Sequence, residues 1–332
     1  MSANAARRLI QHYVDNYRRL PWREPPGSTT ADPYRIWLSE IMLQQTTVAA
    51  VAPRFARFVT RWPTVTALAS APDEDILTEW AGLGYYARAR NLIACARQVA
   101  AAGGFPDNEQ GLRQLPGVGA YTAAAIAAIA FGKRSVVVDT NVNRVVARLH
   151  GLKVPNPAIV RGLAGAMTPA ERPGDFAQAM MDLGATICRP RAPACTACPL
   201  RQDCRAFASG HPDQYPERKP KKARPERFGT AYWTERDGQV WLVRRPAKGP
   251  LGGMAALPSG PWSSDQPRAA NPLASIRHVF THFALELDVV DCAEPHGDGW
   301  WQPVKRLHEA GLPTLFARAA EAVLSRDRRL AA

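Results

Sequence analysis

The chain has 332 residues, enough for about two domains at the usual ~100–200 residues each. Forty-two Lys and Arg against 29 Asp and Glu leave a formal charge of +13, which favours an anionic partner such as nucleic acid or an anionic membrane surface. With 46% hydrophobic and 21% charged residues the composition excludes a disordered or fibrous chain, and 29 prolines and 24 glycines imply many loops.

The N-terminus passes from Arg7 and Arg8 into Gln11, His12 and Asp15 without an apolar stretch of signal-peptide length, so a cytoplasmic location is expected. From residue 5 to about 210, apolar residues recur every three or four positions between breaks such as Trp62-Pro63, Gly103-Gly104 and Pro155-Asn156-Pro157, which predicts a mainly α region over 1–210. Within Pro33-Tyr34-Arg35-Ile36-Trp37-Leu38-Ser39-Glu40-Ile41-Met42-Leu43, Glu40 is a single acid among apolar neighbours. It reads either as the solvated face of an amphipathic helix or as a desolvated carboxyl with a raised pKa.

Residues 114–132 carry no formal charge, but they open on the turn Gln114-Leu115-Pro116-Gly117-Val118-Gly119. The 13 residues that follow reach roughly 20 Å as a helix, too short for ~30 Å of hydrocarbon, so no membrane span is expected. The glycines of the turn permit positive φ and a close backbone approach, so that consecutive N–H groups and a helix N-terminus face a phosphate oxygen. Beyond it, Asp139 precedes Thr140 and Asn141 at the start of a basic helix with Arg144 and Arg148, a pattern that alone reads as helix capping. Cys188, Cys195, Cys198 and Cys204 lie within 17 residues at C-x6-C-x2-C-x5-C spacing, which points to metal; zinc and a cubane iron–sulfur cluster suit four thiolates equally. Cys95 and Cys292 stand alone and read as small core residues.

Residues 211–227 hold four prolines and six basic residues and read as a linker. After it, strands are expected over 228–233 and 239–244, around a turn signalled by Asp237-Gly238, and over 283–290, where Phe283, Leu285 and Leu287 alternate against Ala284, Glu286 and Asp288. With a closing helix over 315–324, residues 228–325 form a smaller α+β domain.

The cysteine spacing, placed after Leu115-Pro116-Gly117-Val118-Gly119, resembles the endonuclease III superfamily of helix-hairpin-helix DNA glycosylases. That resemblance implies a [4Fe-4S] cluster on the four cysteines, in a loop where Arg189, Arg191, Arg201 and Arg205 meet the DNA backbone. Relatives that also cut the strand carry a lysine where this chain has Tyr121, which points to a glycosylase without lyase activity and to the adenine-specific branch of the family. There the resemblance makes Glu40 the general acid that protonates N7 of a flipped adenine, and Asp139 the carboxylate that supports the cationic sugar, with Tyr121 and Asn141 assisting. By the same resemblance Trp22, Arg23 and Asp182 are expected to line the base pocket, with Asp182 in the place of a base-contacting carboxylate that is Glu in several relatives. The resemblance also implies that Gln45 and one of Tyr85 and Tyr86, Tyr85 being favoured, enter the duplex, and that Arg88 and the Gly117–Val118–Gly119 turn hold the backbone; sequence does not decide between the two tyrosines.

The smaller domain resembles Nudix hydrolases, through Gly249 to Gly260, but lacks the Arg-Glu and Glu-Glu pairs that would hold Mg²⁺. It is expected to read 8-oxoguanine through Phe280, Thr281 and His282. The implied partner is double-stranded DNA with an 8-oxoguanine:A or G:A mispair, bound by a monomer. The alternatives are a bifunctional glycosylase/lyase, against which Tyr121 argues, and a non-catalytic cluster-bearing DNA-binding protein, against which the pairing of Glu40 with Asp139 argues.

Overall fold

The computed structural model describes residues 3–28, 31–217, 223–246 and 249–330. In chain order its helices are α1 (Ala3–Asn16), α2 (Pro33–Leu43), α3 (Val48–Arg61), α4 (Val65–Ser70), α5 (Asp73–Trp80), α6 (Tyr86–Ala101), α7 (Glu109–Leu112), α8 (Ala120–Ile129), α9 (Thr140–His150), α10 (Pro157–Met167), α11 (Pro173–Asp182), α12 (Arg205–Ala208) and α13 (Thr314–Leu330). The strands are β1 (Glu226–Trp233), β2 (Glu235–Arg236), β3 (Gln239–Arg244), β4 (Ala255–Ala256), β5 (Ala274–Val279), β6 (Ala284–Asp291) and β7 (Gly299–Pro303). The chain divides into two compact units, Met1–Ser70 with Asn91–Pro220 and Ala71–Arg90 with Lys221–Ala332. Residues 71–90 thus group with the C-terminal part of the chain, a tertiary association that no composition shift or linker marks. Five residues of the expected linker, 218–222, lie outside the described residues.

The first unit is helical because its starts are written locally. Asp32 accepts from Tyr34 N at 2.9 Å with Pro33 in the first turn, Asn108 accepts from Gly111 N at 2.9 Å, and Asn156 accepts from Ala158 N at 2.8 Å ahead of Pro157. Its centre is α8, whose residues 122–128 are all buried: small side chains on every face make a helix that others pack around rather than an amphipathic one. Among the described residues no helix is long and apolar enough to cross a membrane.

In the second unit β1, β6 and β5 form one sheet, with β1 parallel and β5 antiparallel to β6. The other sheet holds β2, β3, β4 and β7. The Asp237-Gly238 turn therefore closes the short β2–β3 hairpin, while β1, expected as part of that hairpin, leaves for the other sheet to pair over its whole length with β6. The expected alternation of β6 also fails at Asp288, which is 1% exposed. Arg268 covers it with two hydrogen bonds of 2.7 Å and Ser275 adds a third, and these partners hold its carboxyl down to about 2 despite burial. Between the sheets and α13 lies a core that includes Trp233, Leu242, Leu285, Leu287, Phe316 and Val323.

Candidate functional site

In the first unit a cleft of about 1330 Å³ is lined by Trp22, Arg23, Glu40, Gln45, Tyr121, Asp139, Asn141 and Asp182. Eight residues singled out from five separate stretches of sequence thus share one cavity. Trp22 is 5% exposed and packs edge-on against Phe55, with ring centroids 5.3 Å apart.

Glu40 lies on α2 among Ile36, Trp37 and Ile41 and is 7% exposed, which excludes a solvated face. Burial pushes its carboxyl up to about 7; Tyr121 works against that shift by hydrogen bonding, the Asp139 charge adds to it, and Arg23 opposes it. Near neutrality this group therefore both gives and takes a proton. The Tyr121 hydroxyl has one proton to place between the Glu40 carboxyl and Met181 Sδ at 3.3 Å, and burial together with the charges of Glu40 and Asp139 raises its own pKa well above the usual value, so it stays neutral.

Asp139 occupies the N-cap of α9. Its Oδ1 accepts from Val142 N at 2.6 Å and its Oδ2 accepts from Asn141 Nδ2 at 2.9 Å. Capping and chemistry are compatible here, because the two donors fix the orientation of the carboxylate while the residue lines the cleft. Asn141 is held in turn by Arg144, whose guanidinium donates to Asn141 Oδ1 at 3.0 Å, Gly184 O at 2.7 Å and Cys188 O at 2.8 Å.

Two residues that sequence reasoning left unassigned support this arrangement. One is Arg144. The other is Gly184, in the π-helical turn Leu183–Ile187 that follows α11, where a Cβ would lie 2.6 Å from Asn141 Cβ and 3.1 Å from its carbonyl oxygen. Gly184→Ala must push the first turn of α9 away, and a loss of about 1–3 kcal/mol in stability is expected, measured by thermal melting.

The turn before α8 is open where a ligand would approach it. Gly117 and Gly119 are exposed, Val118 is buried so that only its backbone is available, and the N-cap Gly119 lacks a side-chain cap bond. Only Gly117 uses positive φ, at 75°, with Asn91 Cβ 2.8 Å from where its Cβ would stand; Gly119 is extended at φ −82°, contrary to the expectation for both glycines. Gln45 sits in a turn closed by Thr46 N to Leu43 O at 3.2 Å, in the left-handed region at φ 57°, with its side chain exposed. A non-glycine residue held there stores strain, which suits a side chain presented for a task.

In the second unit Tyr85 has φ 50° and is 42% exposed, whereas Tyr86 is 4% exposed and packs inward. Arg88, expected at the DNA backbone, is instead buried: its guanidinium donates to Leu83 O at 3.0 Å and lies 5.3 Å from the ring centres of both Trp80 and Tyr85. Burial lowers its pKa to about 10, and its contacts brace the turn that carries Tyr85. Phe280, Thr281 and His282 belong to the connection between β5 and β6, closed by Phe280 N to Phe283 O at 2.8 Å. Phe280 is anchored against Phe283 and Trp262, Thr281 and His282 are exposed, and Thr281 Oγ1 donates to Tyr85 Oη at 2.8 Å.

The four clustered cysteines follow the π-helical turn, and Arg148, 2% exposed, threads their loop. It donates to Cys188 Sγ at 3.2 Å and to Arg189 O at 2.7 Å, while Cys204 Sγ faces Arg148 O at 3.5 Å. Burial pushes the Cys198 thiol up to about 11, and Cys188, Cys204 and Cys195 each contribute, which places all four sulfurs within electrostatic reach of one another. Among the described residues no three His, Cys, Asp or Glu side chains close on a single metal ion. Four partly buried thiols around a buried guanidinium fit an iron–sulfur cluster, which is anionic once four thiolates ligate it and whose separate iron atoms need more widely spaced sulfurs than one zinc ion does. Arg189, Arg191, Arg201 and Arg205 are exposed around this loop.

Residues 38–165 match the family model described as HhH-GPD superfamily base excision DNA repair protein, and residues 229–322 match that of the NUDIX domain. The chain is 43% identical to the adenine DNA glycosylase of Mycobacterium tuberculosis (strain ATCC 25618 / H37Rv), over 73% of this chain and 79% of that protein. It is 34% identical to the adenine DNA glycosylase of Homo sapiens over 86% of this chain, and spans 66% of the human protein's length. Among solved structures, that of a thermostable thymine-DNA glycosylase superposes with a TM-score of 0.56 at 30% identity, covering 61% of this chain and 95% of that one.

Proposed function

Because this chain belongs to the adenine DNA glycosylase family of base excision repair enzymes, we propose that it removes adenine paired with 8-oxoguanine or guanine by hydrolysing the N-glycosidic bond, leaving an abasic site. The observation that carries this reading is one cleft holding a buried carboxyl at about 7, Glu40, and a carboxylate fixed by two donors, Asp139.

With adenine turned out of the duplex into the cleft, Glu40 gives N7 a proton, and the C1′–N9 bond breaks as the base leaves neutral. The positive charge that develops on the sugar is supported by Asp139, whose orientation Asn141 and Arg144 maintain. Tyr121 holds the Glu40 carboxyl in place and supplies no amine. Glu40, now ionised, takes a proton from the attacking water and is restored. Without an amine at position 121, no Schiff base forms there and the strand stays intact.

Gln45 from the first unit and Tyr85 from the second are the side chains that enter the duplex. The Gly117 turn and the start of α8 hold a phosphate, and Thr281 and His282 read 8-oxoguanine. The four cysteines would hold a [4Fe-4S] cluster, which when bound ties the loop into one rigid basic surface. The protein acts as a monomer, on chromosomal DNA in the cytoplasm.

A duplex with one 8-oxoguanine:A pair tests this directly: strand cuts at the adenine are expected only after alkali. Cuts without alkali would show lyase chemistry, and binding without cuts would show a non-catalytic protein. Replacing Thr281 with Val removes the hydroxyl and keeps the shape. It is expected to narrow the rate ratio of 8-oxoguanine:A to G:A by about tenfold, and an unchanged ratio would remove this loop from lesion reading.

A further inference from the structure

The glycine-rich turn that begins at Gly249 has no task in the reaction above, because the acids that would make it part of a metal site are absent. Its backbone is nevertheless firmly held. Gly253 N donates to Arg245 O at 3.0 Å, Arg245 N to Met254 O at 2.9 Å, and the Arg245 guanidinium to Pro250 O at 3.1 Å. The turn so fixed offers the carbonyl of Gly252, a buried residue, to Arg90, whose Nη1 donates to it at 2.6 Å. A buried carbonyl that loses its donor is costly, which keeps the half-buried Arg90 at the turn.

Arg90 lies on α6, the helix that starts directly after Tyr85. On the other side of Tyr85, Glu74 of α5 pairs with Arg244, the last residue of β3, at 2.7 Å. That pair is exposed and contributes little alone, so the stronger hold is the one at Arg90. Residues 71–90 are thus tied to the strands of the second unit before and after Tyr85, and Tyr85 itself stands at φ 50°. A non-glycine residue keeps such a conformation only while its surroundings hold it. Next to a tyrosine that enters DNA, a basic residue reads as a phosphate contact; here the guanidinium is turned to a carbonyl of its own unit instead.

We propose that Arg90 is a positioning residue for lesion recognition: held on the Gly252 carbonyl, it fixes Tyr85 relative to the loop of Thr281 and His282, so that the side chain entering the duplex and the loop reading 8-oxoguanine reach the mispair in one register. The proposal deepens the adenine glycosylase reading and rests on it. It gives the glycine turn, retained without its metal acids, the task of docking the segment that carries Tyr85.

The test uses full-length protein with Arg90→Met, which removes the donors and keeps the stem, and Arg90→Lys, which keeps a donor and the charge. Single-turnover excision is compared on 8-oxoguanine:A and G:A duplexes, and affinity for an undamaged duplex is followed against salt. Arg90→Met is expected to narrow the rate ratio of 8-oxoguanine:A to G:A by about tenfold, through loss on the lesion duplex, and Arg90→Lys to recover part of it. The slope of log affinity against log salt should equal that of wild type, since the bond is internal. A slope smaller by about one, with equal losses on both duplexes, would make Arg90 a phosphate contact and overturn the proposal. An unchanged ratio would overturn it too, by showing that Tyr85 and the reading loop act independently. Equal losses on both duplexes that track a lower melting temperature would reduce Arg90 to a structural residue, again against the proposal. Wild-type protein that excises adenine equally fast from the two duplexes would instead remove the underlying reading of lesion recognition, and this proposal with it.

Discussion

Glu40→Gln is expected to slow single-turnover adenine release by about 10²–10⁴-fold while duplex binding persists. Gln keeps the shape of the side chain and its hydrogen bond to Tyr121 but has no proton to give N7 and no base for water. The same substitution is expected to stabilise the protein, and the sign follows from burial. A carboxyl raised from 4.5 to about 7 binds its proton more tightly in the folded state than in the unfolded one. Below pH 4.5 it is neutral in both states and costs nothing. As pH rises through that interval the unfolded chain ionises first, and above about 7 the folded state bears the full penalty of about 3 kcal/mol. Glu40→Gln should therefore melt higher than wild type at pH 8 and close to it at pH 4.5. Equal melting temperatures at pH 8 would mean that Glu40 is not desolvated.

Asp139→Asn is expected to lose about 10²–10³-fold in excision rate, by removing the charge that opposes the cationic sugar. Asn caps helices as well as Asp does, so α9 should keep its start, and circular dichroism and melting should change little. Retained activity in this variant would assign Asp139 to capping alone.

Much of this site was legible because each part has a local signature. The capping pattern at 139–141, the turn at 114–119 and the cysteine spacing depend on near neighbours in sequence, and the spacing of apolar residues places Glu40 on a helix. What sequence could not decide is which face of that helix is buried. That depends on the α2–α8 contact, made by elements about 80 residues apart. The same limit explains Arg88: a basic residue beside a tyrosine reads as a phosphate contact until carbonyls of its own turn are seen to take its donors. Asp182 is a third case, because its ion pairs with Arg18 and Arg23 span about 160 residues of chain. In the second unit the Asp-Gly signal located a hairpin correctly but could not say that β1 departs to pair with β6, since parallel pairing leaves no turn signal.

The central claim is that one cleft holds two carboxyl groups that divide the work, Glu40 to give a proton and Asp139 to face the charge that develops on the sugar. The most direct measurement is the pH dependence of the single-turnover rate on an 8-oxoguanine:A duplex between pH 5.5 and 9 at fixed ionic strength. With Glu40 acting as the acid, its proton is lost as pH rises, so the rate should fall through about pH 7 toward a tenfold drop per unit. A rate that stays level or climbs from pH 6 to 9 would contradict the assignment of Glu40 as the proton donor and the division of labour built on it.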